Sequence, residues 1–186
     1  ADEFFDKKDL VSIKKEIQND NIDALALPWE MWNGQRAITF KGLKKVCFFR
    51  KEKFHYCGVP HEAGYVDGVV KYLDIFLHHR PRYNNISWSS FLKKKKKWIP
   101  IHVQYFFYDI SVIDCFNINA EFYDLKIKKV RKNVLLYMLF EPPKVLIGQL
   151  RNGLCLSWYG WNMAFQQFFY QASLYYGIWK IQKKLK

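Results

Sequence analysis

Glycine, paired cysteines and long apolar stretches are all scarce in this chain of 186 residues. The nine glycines form no Gly-rich loop of the kind that wraps a nucleotide phosphate. The cysteines, Cys47, Cys57, Cys115 and Cys155, stand singly rather than as Cys-x-x-Cys pairs, which predicts free thiols in a reducing compartment. A long uncharged stretch, 153–178, contains Asn and Gln side chains, and the opening residues do not resemble a secretory signal. We therefore expect neither a disulfide framework nor a membrane span.

Acidic residues are scarce beyond residue 33. Residues 1–33 hold four bases and eight acids, a net charge of −4, whereas residues 34–186 hold 26 bases and nine acids, a net charge of +17. A compact body with that charge repels itself unless something anionic lies nearby. The charge pattern therefore predicts a partner that is nucleic acid, an acidic membrane surface or an acidic protein.

The hydrophobic pattern predicts a single α+β domain with mainly antiparallel sheet. Leu10, Ile13 and Ile17 repeat at helical spacing after Asp6 or Asp9, either of which can cap a first helix. Residues 28–34 read as a loop. Short β-rich or alternating runs predict strands at 36–41, 45–50, 53–57, 68–79, 101–113, 122–130 and 134–140. Asn152-Gly153, between the apolar runs 145–150 and 154–159, predicts a hairpin, with Pro142-Pro143 breaking the strand before it.

Two further helices are predicted. Ser87 is a favourable N-cap for a short central helix that begins at Trp88 and ends before Pro100. Beyond Gly160 the spacing becomes helical, and one aromatic stripe follows: Phe165, Phe168, Phe169, Ala172, Tyr175, Tyr176 and Trp179. The predicted organisation is an acidic N-terminal helix and loop, 1–33, and a basic α+β body, 34–186, within one domain overall.

Clusters of basic residues are the candidate binding sites. A lysine run before Trp98 is predicted to leave the central helix as an exposed loop: Lys93, Lys94, Lys95, Lys96 and Lys97. A second cluster is Lys126, Lys128, Lys129, Arg131 and Lys132, and a third, at the C-terminal end, includes Lys183 and Lys184. Each lysine near an anionic membrane contributes about 1 kcal/mol. On nucleic acid the same clusters displace counterions and bind without reading sequence. The alternative is a solvated charge run with no ligand, and Trp88, Phe91 and Trp98 either stack on bases or pack in the core.

Two weaker patterns suggest metal chemistry. Cys47, His55, Cys57 and His61 have the right donor atoms for zinc but not the usual ligand spacing, so we expect no metal or other cofactor. Asp114 with Asp124-Leu125-Lys126 mimics the acid-and-lysine pattern of Mg²⁺-dependent nucleases, provided that Asp124 and Lys126 share one face of a strand.

The segment from Val66 to Phe107 resembles the central part of rhabdovirus matrix proteins. The pattern is a strand, a break at Arg80-Pro81-Arg82-Tyr83, a Ser-led helix with a Trp, a lysine loop and another strand. The resemblance implies a non-enzymatic structural protein that self-associates and bridges a ribonucleoprotein to an anionic membrane. It also implies a location in the virion and in the host cytoplasm or at its membranes.

Self-association is expected through the acidic N-terminal segment, which would dock on a basic surface of a neighbouring copy. The apolar residues predicted to take part are Leu10, Ile13 and Ile17 of the first helix and Trp29 and Trp32 of the following loop. Two other functions fit the sequence: an RNA-binding component of a large, ribosome-like ribonucleoprotein, and the Mg²⁺-dependent nuclease.

Overall fold

Short strands fill the first half of the described chain, and long helices fill the second. The computed structural model describes residues 2–40, 42–55, 65–107, 120–152 and 154–185. The strands are β1 (Glu3–Phe4), β2 (Ala24–Pro28), β3 (Met31–Trp32), β4 (Ala37–Ile38), β5 (Lys44–Phe49), β6 (Phe54–His55), β7 (Tyr65–Val66), β8 (Val70–Tyr72) and β9 (His78–His79). The helices are α1 (Asp9–Ile17), α2 (Trp88–Tyr105), α3 (Ala120–Lys132), α4 (Val134–Arg151) and α5 (Trp158–Leu185). The predicted α+β class is confirmed.

Strand β2 is the centre of the largest sheet. It pairs antiparallel with β5 on one side and parallel with β8 on the other. Its residues Ala24 to Leu27 are all buried, as expected for a strand covered on both faces. Strand β2 was not predicted, because a strand buried on both faces shows no alternation of apolar and polar residues. The remaining strands pair two by two: β1 with β9, β3 with β4, and β6 with β7.

Helix α1 packs on this sheet through Ile13, which shares a core with Ile22 and Leu25. The predicted helix is confirmed, but its predicted cap is wrong. The N-cap position is Lys8, and no side chain accepts a hydrogen bond there. Asp6 contributes its backbone carbonyl instead, which accepts from the Asp9 N–H at 3.0 Å.

Helix α5 is the centre of the helical half, since both α2 and α4 pack against it. The predicted C-terminal helix is confirmed, although it begins earlier, at Trp158. Its buried side differs from the predicted stripe, because Phe165, Phe169 and Tyr176 are exposed. The core of this half draws on all four helices: Val103, Tyr105, Phe106, Ile127, Val130, Val134, Leu174, Tyr175 and Ile178.

Several predicted strands are helices. The Ser87 cap is confirmed, with its Oγ accepting from the Ser90 N–H at 3.2 Å, but α2 runs through the lysines and Pro100 to Tyr105. The strands predicted at 122–130 and 134–140 are α3 and α4, and α4 continues through Pro142-Pro143 into the predicted hairpin. Burial of the apolar residues in the shared core outweighs the β-propensity that suggested strands. Of the strand predicted at 101–113, residues 101–105 belong to α2, and residues 108–113 lie outside the described chain.

The predicted strand 68–79 is interrupted rather than continuous. Only β8 and β9 form within it, and between them Leu77 makes an isolated bridge to Trp29. The strand predicted at 36–41 is present as the shorter β4, and the one predicted at 45–50 is present as β5, which begins and ends one residue earlier. Strand β6 forms in the described part of the strand predicted at 53–57. The segment predicted as a loop, 28–34, contains strand β3. Trp29 follows β2, whereas Trp32 belongs to β3.

Two glycines give a matched test of how α2 and α5 cross. A Cβ atom on Gly177 of α5 would lie 2.6 Å from Cγ2 of Val103, whereas one on Gly148 of α4 would meet nothing within 4 Å. We expect Gly177→Ala to lower the free energy of unfolding by about 1–3 kcal/mol, because Val103 is buried and stiff at χ1. Gly148→Ala should raise it by about 0.5–1 kcal/mol. Denaturant unfolding measures both, and equal stabilisation by the two alanines would contradict this crossing.

Candidate anion-binding surface

The second and third basic clusters meet where α3 turns into α4 beside the last turn of α5. The side-chain amide of Gln182 donates a hydrogen bond to the carbonyl of Arg131 at 2.8 Å and joins the helices there. A cavity of about 780 Å³ opens at this junction. Its lining includes the cations Arg131, Lys132 and Lys183 and the apolar residues Phe107, Leu135, Leu136 and Trp179. We call this site the basic groove.

Aromatic rings hold two of the groove cations. The guanidinium carbon of Arg131 lies 5.4 Å from the ring centroid of Phe107, and Nζ of Lys183 lies 5.5 Å from that of Trp179. Such contacts are attractive because the ring face is negative. Among the described residues, no carboxylate lies within 4.0 Å of Arg131, Lys132 or Lys183. The groove therefore keeps its positive charge for an external anion.

Acidic residues are almost absent from this part of the chain. Residues 125–185 contain ten Lys and Arg residues and one acid, Glu141. Glu141 lies 3.0 Å from Lys144 of the same helix, so the pair neutralises itself. On the rest of the second cluster, Lys128 and Lys129 are exposed on α3 and Lys126 is half-buried, while Lys184 is exposed beside the groove on α5.

An apolar ridge borders the basic groove. Leu135, Leu136, Leu139 and Phe140 lie on one side of α4 and are between 56% and 64% exposed. Tyr137 and Met138, on the other side of the helix, pack against the core. Leu135 and Leu136 line the groove as well, so the ridge and the cations form one continuous surface. A contiguous exposed apolar patch of this kind marks an interaction site. The ridge was not predicted, because residues 134–140 were expected to form a strand.

The lysine run forms a separate basic face on α2. It is not a loop, contrary to the prediction, because all five lysines lie in the middle of the helix. Lys93, Lys96 and Lys97 are exposed and, at about 100° per residue, lie within one third of the helix circumference. Lys94 and Lys95 are half-buried, as is Trp98, whose ring centroid lies 4.5 Å from Nζ of Lys97. None of these residues lines the basic groove.

The aromatic residues proposed for base stacking are mostly engaged in packing. Phe91 is buried, and the exposed Trp88 makes edge contacts with Phe91 and Phe169 at centroid distances of 5.3 and 5.7 Å. Trp88 is still 42% exposed and Trp98 is half-buried, so part of each side chain remains accessible to a ligand. Core packing, the alternative considered for these residues, therefore describes Phe91 correctly.

The acidic N-terminal segment pairs with bases of its own chain. Carboxylate oxygens of Glu3, Glu16 and Asp20 lie 2.6, 2.7 and 2.9 Å from Lys45, Lys71 and Arg50, respectively. Asp2 and Asp6 face the two histidines of β9 at 3.4 and 3.7 Å, and the buried Glu30 contacts Nδ1 of His78 at 2.6 Å. These contacts and the pairing of β1 with β9 connect residues 2–33 to the other strands of the protein.

The residues predicted for self-association are divided between core and surface. Ile13 is buried, so the expectation that it contacts a second copy is wrong. Trp29 stacks on His79 with ring centroids 5.2 Å apart, and Trp32 lies 5.6 Å from the guanidinium of Arg80. Leu10 and Ile17 are exposed on α1. Self-association through this segment stays a prediction, and these two residues are the ones accessible for it.

The structure tests the zinc hypothesis and the nuclease hypothesis only in part, because some of their residues lie outside the described chain. Burial raises the pKa of the Cys47 thiol to about 11, and its Sγ lies 3.3 Å from the carbonyl of Lys45, so the thiol is protonated at neutral pH. Cys57 and His61 lie outside the described residues, as does Asp114. No group of three potential metal ligands occurs in the part of the chain that the structure describes. Asp124 and Lys126 fall in helix α3 and not in a strand, so the strand geometry that the nuclease hypothesis assumed is wrong.

The sequence and the fold were compared with known proteins. No family model matches the chain, and no curated protein or solved structure matches it either. The resemblance to rhabdovirus matrix proteins therefore stays a prediction from residues 66–107. Within the described residues, none of the helices combines the length and the apolar character needed to cross a membrane.

Proposed function

We propose that this protein is a non-enzymatic structural protein that binds an anionic membrane surface from one side. The observation that carries the proposal is the junction of the basic groove with the apolar ridge. Acidic phospholipid headgroups fit Arg131, Lys132 and Lys183, while Leu135, Leu139 and Phe140 fit the boundary between headgroups and acyl chains. Interfacial proteins combine these two features on one surface.

The basic groove and the apolar ridge would each contribute to membrane binding. Each groove cation near an anionic surface is worth about 1 kcal/mol, and the three together about 3 kcal/mol. Ridge residues that transfer out of water contribute about 25 cal/mol per Å² of apolar area. Stable anchoring needs two such signals, because one acyl chain alone gives only reversible binding. A surface with charge alone would suit nucleic acid as well as lipid, and the adjoining ridge supports the membrane proposal.

The basic face of α2 supports the second half of a matrix-type function. Lys93, Lys96 and Lys97 are exposed together and stand apart from the groove, so they can meet a different anionic partner. RNA or an RNA-bound nucleoprotein is the partner that the resemblance implies, and such contacts bind without reading sequence. In this arrangement the protein bridges a ribonucleoprotein and a membrane. If the groove also binds RNA, the protein is instead a component of a large ribonucleoprotein.

Vesicle flotation and RNA retention, each across a salt series, separate these two functions. We expect flotation with vesicles that contain phosphatidylserine but not with phosphatidylcholine vesicles alone, because headgroup charge is required. RNA retention should fall steeply with salt, whereas flotation should decline less, because transfer of the ridge does not depend on ionic strength. Tight retention of RNA with no flotation at any salt concentration would contradict the membrane proposal.

A further inference from the structure

A second, smaller cavity lies between the strand half of the protein and helices α2 and α5. Its volume is about 210 Å³. Trp29, Met31 and Leu43 close it on the strand side, Phe91 and Lys94 come from α2, and Met163, Gln166 and Tyr170 come from α5. None of these residues belongs to the basic groove or to the apolar ridge. The cavity is therefore a distinct site with its own chemistry.

Among the described residues that line this cavity, Lys94 is the only charged one. No described carboxylate lies within 4.0 Å of its Nζ atom, which lies 5.8 Å from the ring centroid of Tyr83. Burial lowers the pKa of Lys94 below its usual 10.5, because the half-buried ammonium has lost part of its water. An incoming anion restores what this desolvation removes.

Two amide side chains that line the cavity, those of Asn85 and Gln166, already make hydrogen bonds within the protein. Nε2 of the buried Gln166 donates to the carbonyl of Ile86 at 2.8 Å. The side chain of Asn85 accepts from the Trp32 N–H at 3.0 Å and contacts Nδ1 of His79 at 3.0 Å. These bonds fix the wall of the cavity. The donors left for a ligand include the Lys94 ammonium and the buried indole Nε1 of Trp29, which has no hydrogen-bond partner in the described part of the chain. They suit a ligand with one negative group.

The remaining lining is aromatic and thioether in character. Rings of Trp29, Phe91 and Tyr170 surround the space together with the sulfur-containing side chains of Met31 and Met163. Planar rings pack favourably against aromatic side chains, and methionine sulfur adds attractive contacts at ring edges. An apolar cavity of about 150 Å³ holds one benzene molecule. This space accommodates one ring and a small substituent.

We propose that this cavity is a binding site for a small aromatic monocarboxylate. The ring lies among Trp29, Phe91 and Tyr170, and the carboxylate accepts a hydrogen bond from the ammonium of Lys94. Binding pockets with a mostly apolar lining and a few convergent polar groups have this design. The site needs no lipid and no RNA, so it stands or fails independently of the proposed membrane function.

Calorimetry with benzoate as the probe tests the site on the full chain without lipid. We expect benzoate to bind, and Lys94→Met to weaken it about 10- to 100-fold, the usual effect of losing a hydrogen bond to a charged group. Lys93→Met makes the same change one residue away on the exposed side of α2 and should leave the affinity unchanged. Benzamide, which has the ring but no charge, should bind more weakly than benzoate.

A second measurement uses the unmodified protein, so it does not depend on folding of the variant. An amine-reactive acylating reagent is applied with and without benzoate, and mass spectrometry follows the acylation of Lys94 and Lys93. Benzoate should slow the reaction at Lys94 only. No benzoate binding, equal binding to Lys94→Met, or equal acylation of Lys94 with and without benzoate would overturn the proposal. Binding of octanoate without binding of benzoate would also overturn the proposal, since the cavity would then be a site for acyl chains.

Discussion

Replacing Arg131, Lys132 and Lys183 together with glutamine should lower the affinity for phosphatidylserine vesicles about 100-fold at low salt. The three cations line the basic groove, and no described carboxylate neutralises them. At about 1 kcal/mol each they account for about 3 kcal/mol, and 1.4 kcal/mol corresponds to a tenfold change in affinity. Flotation at a series of lipid concentrations measures the change. The difference between wild type and variant should shrink as salt is raised.

A matched variant separates the site from net charge. Lys14, Lys15 and Lys51 are exposed on the strand half of the protein, and their replacement by glutamine removes the same charge. We expect this variant to bind vesicles nearly as wild type does. Equal losses in the two triple variants would show that overall charge attracts the membrane, and the groove would then have no special function.

Ile178→Ala should lower the free energy of unfolding by about 2–5 kcal/mol. Ile178 is completely buried in the core to which α2, α3, α4 and α5 all contribute. The truncation removes buried methyl groups and leaves a cavity that four packed helices cannot close. Since a domain has only about 5–15 kcal/mol of stability, the loss is a large fraction of the total. The midpoint of urea unfolding, followed by far-ultraviolet circular dichroism, measures it.

Leu139→Ala is the control for this prediction. Leu139 lies on the apolar ridge and is 64% exposed, so its truncation should change the unfolding free energy by less than about 0.5 kcal/mol. A similar midpoint shift in both variants would mean that the ridge is covered, for example by another copy of the chain. That result would contradict the exposed ridge, whereas a shift below about 0.5 kcal/mol for Ile178→Ala would contradict the core assignment.

Local signals in the sequence identified the elements whose cause is local. The Ser87 cap and the spacing of Leu10, Ile13 and Ile17 predicted the starts or faces of helices that the structure contains. Short β-rich runs likewise located β4, β5 and β6. In each case hydrogen bonds or side-chain spacing within a few residues decide the conformation.

The elements that the sequence analysis missed depend on distant packing. Residues Val130 and Val134 favour strands by propensity, yet both lie in helices because their side chains fill the core around Ile178. Pro142 and Pro143 suggested a break, but α4 continues through them. Proline interrupts hydrogen bonds to carbonyls one turn earlier, here those of Met138 and Leu139, without preventing a helix that packing holds in place.

The candidate site follows the same division. Composition alone predicted an anionic partner. The three cations of the groove, Arg131, Lys132 and Lys183, belong to the predicted basic clusters, because clusters of lysine and arginine are visible in any sequence. That Arg131 and Lys183 meet could not be predicted, since it depends on how α3 and α5 are joined at Gln182. The ridge on α4 could not be predicted, because which of its apolar residues share a face depends on whether the segment is a helix or a strand.

The position of β2 has a consequence for how the protein forms during synthesis. Ala24 to Leu27 leave the ribosome before the residues of β8 that pair with one edge of this strand, Val70 to Tyr72. The growing chain must therefore carry a continuous apolar segment with an unpaired edge for some time, a situation that favours aggregation. Closing the sheet also joins residues far apart in the chain, which is slow. A chaperone that holds the nascent N-terminal half until residue 79 has emerged would suit this fold.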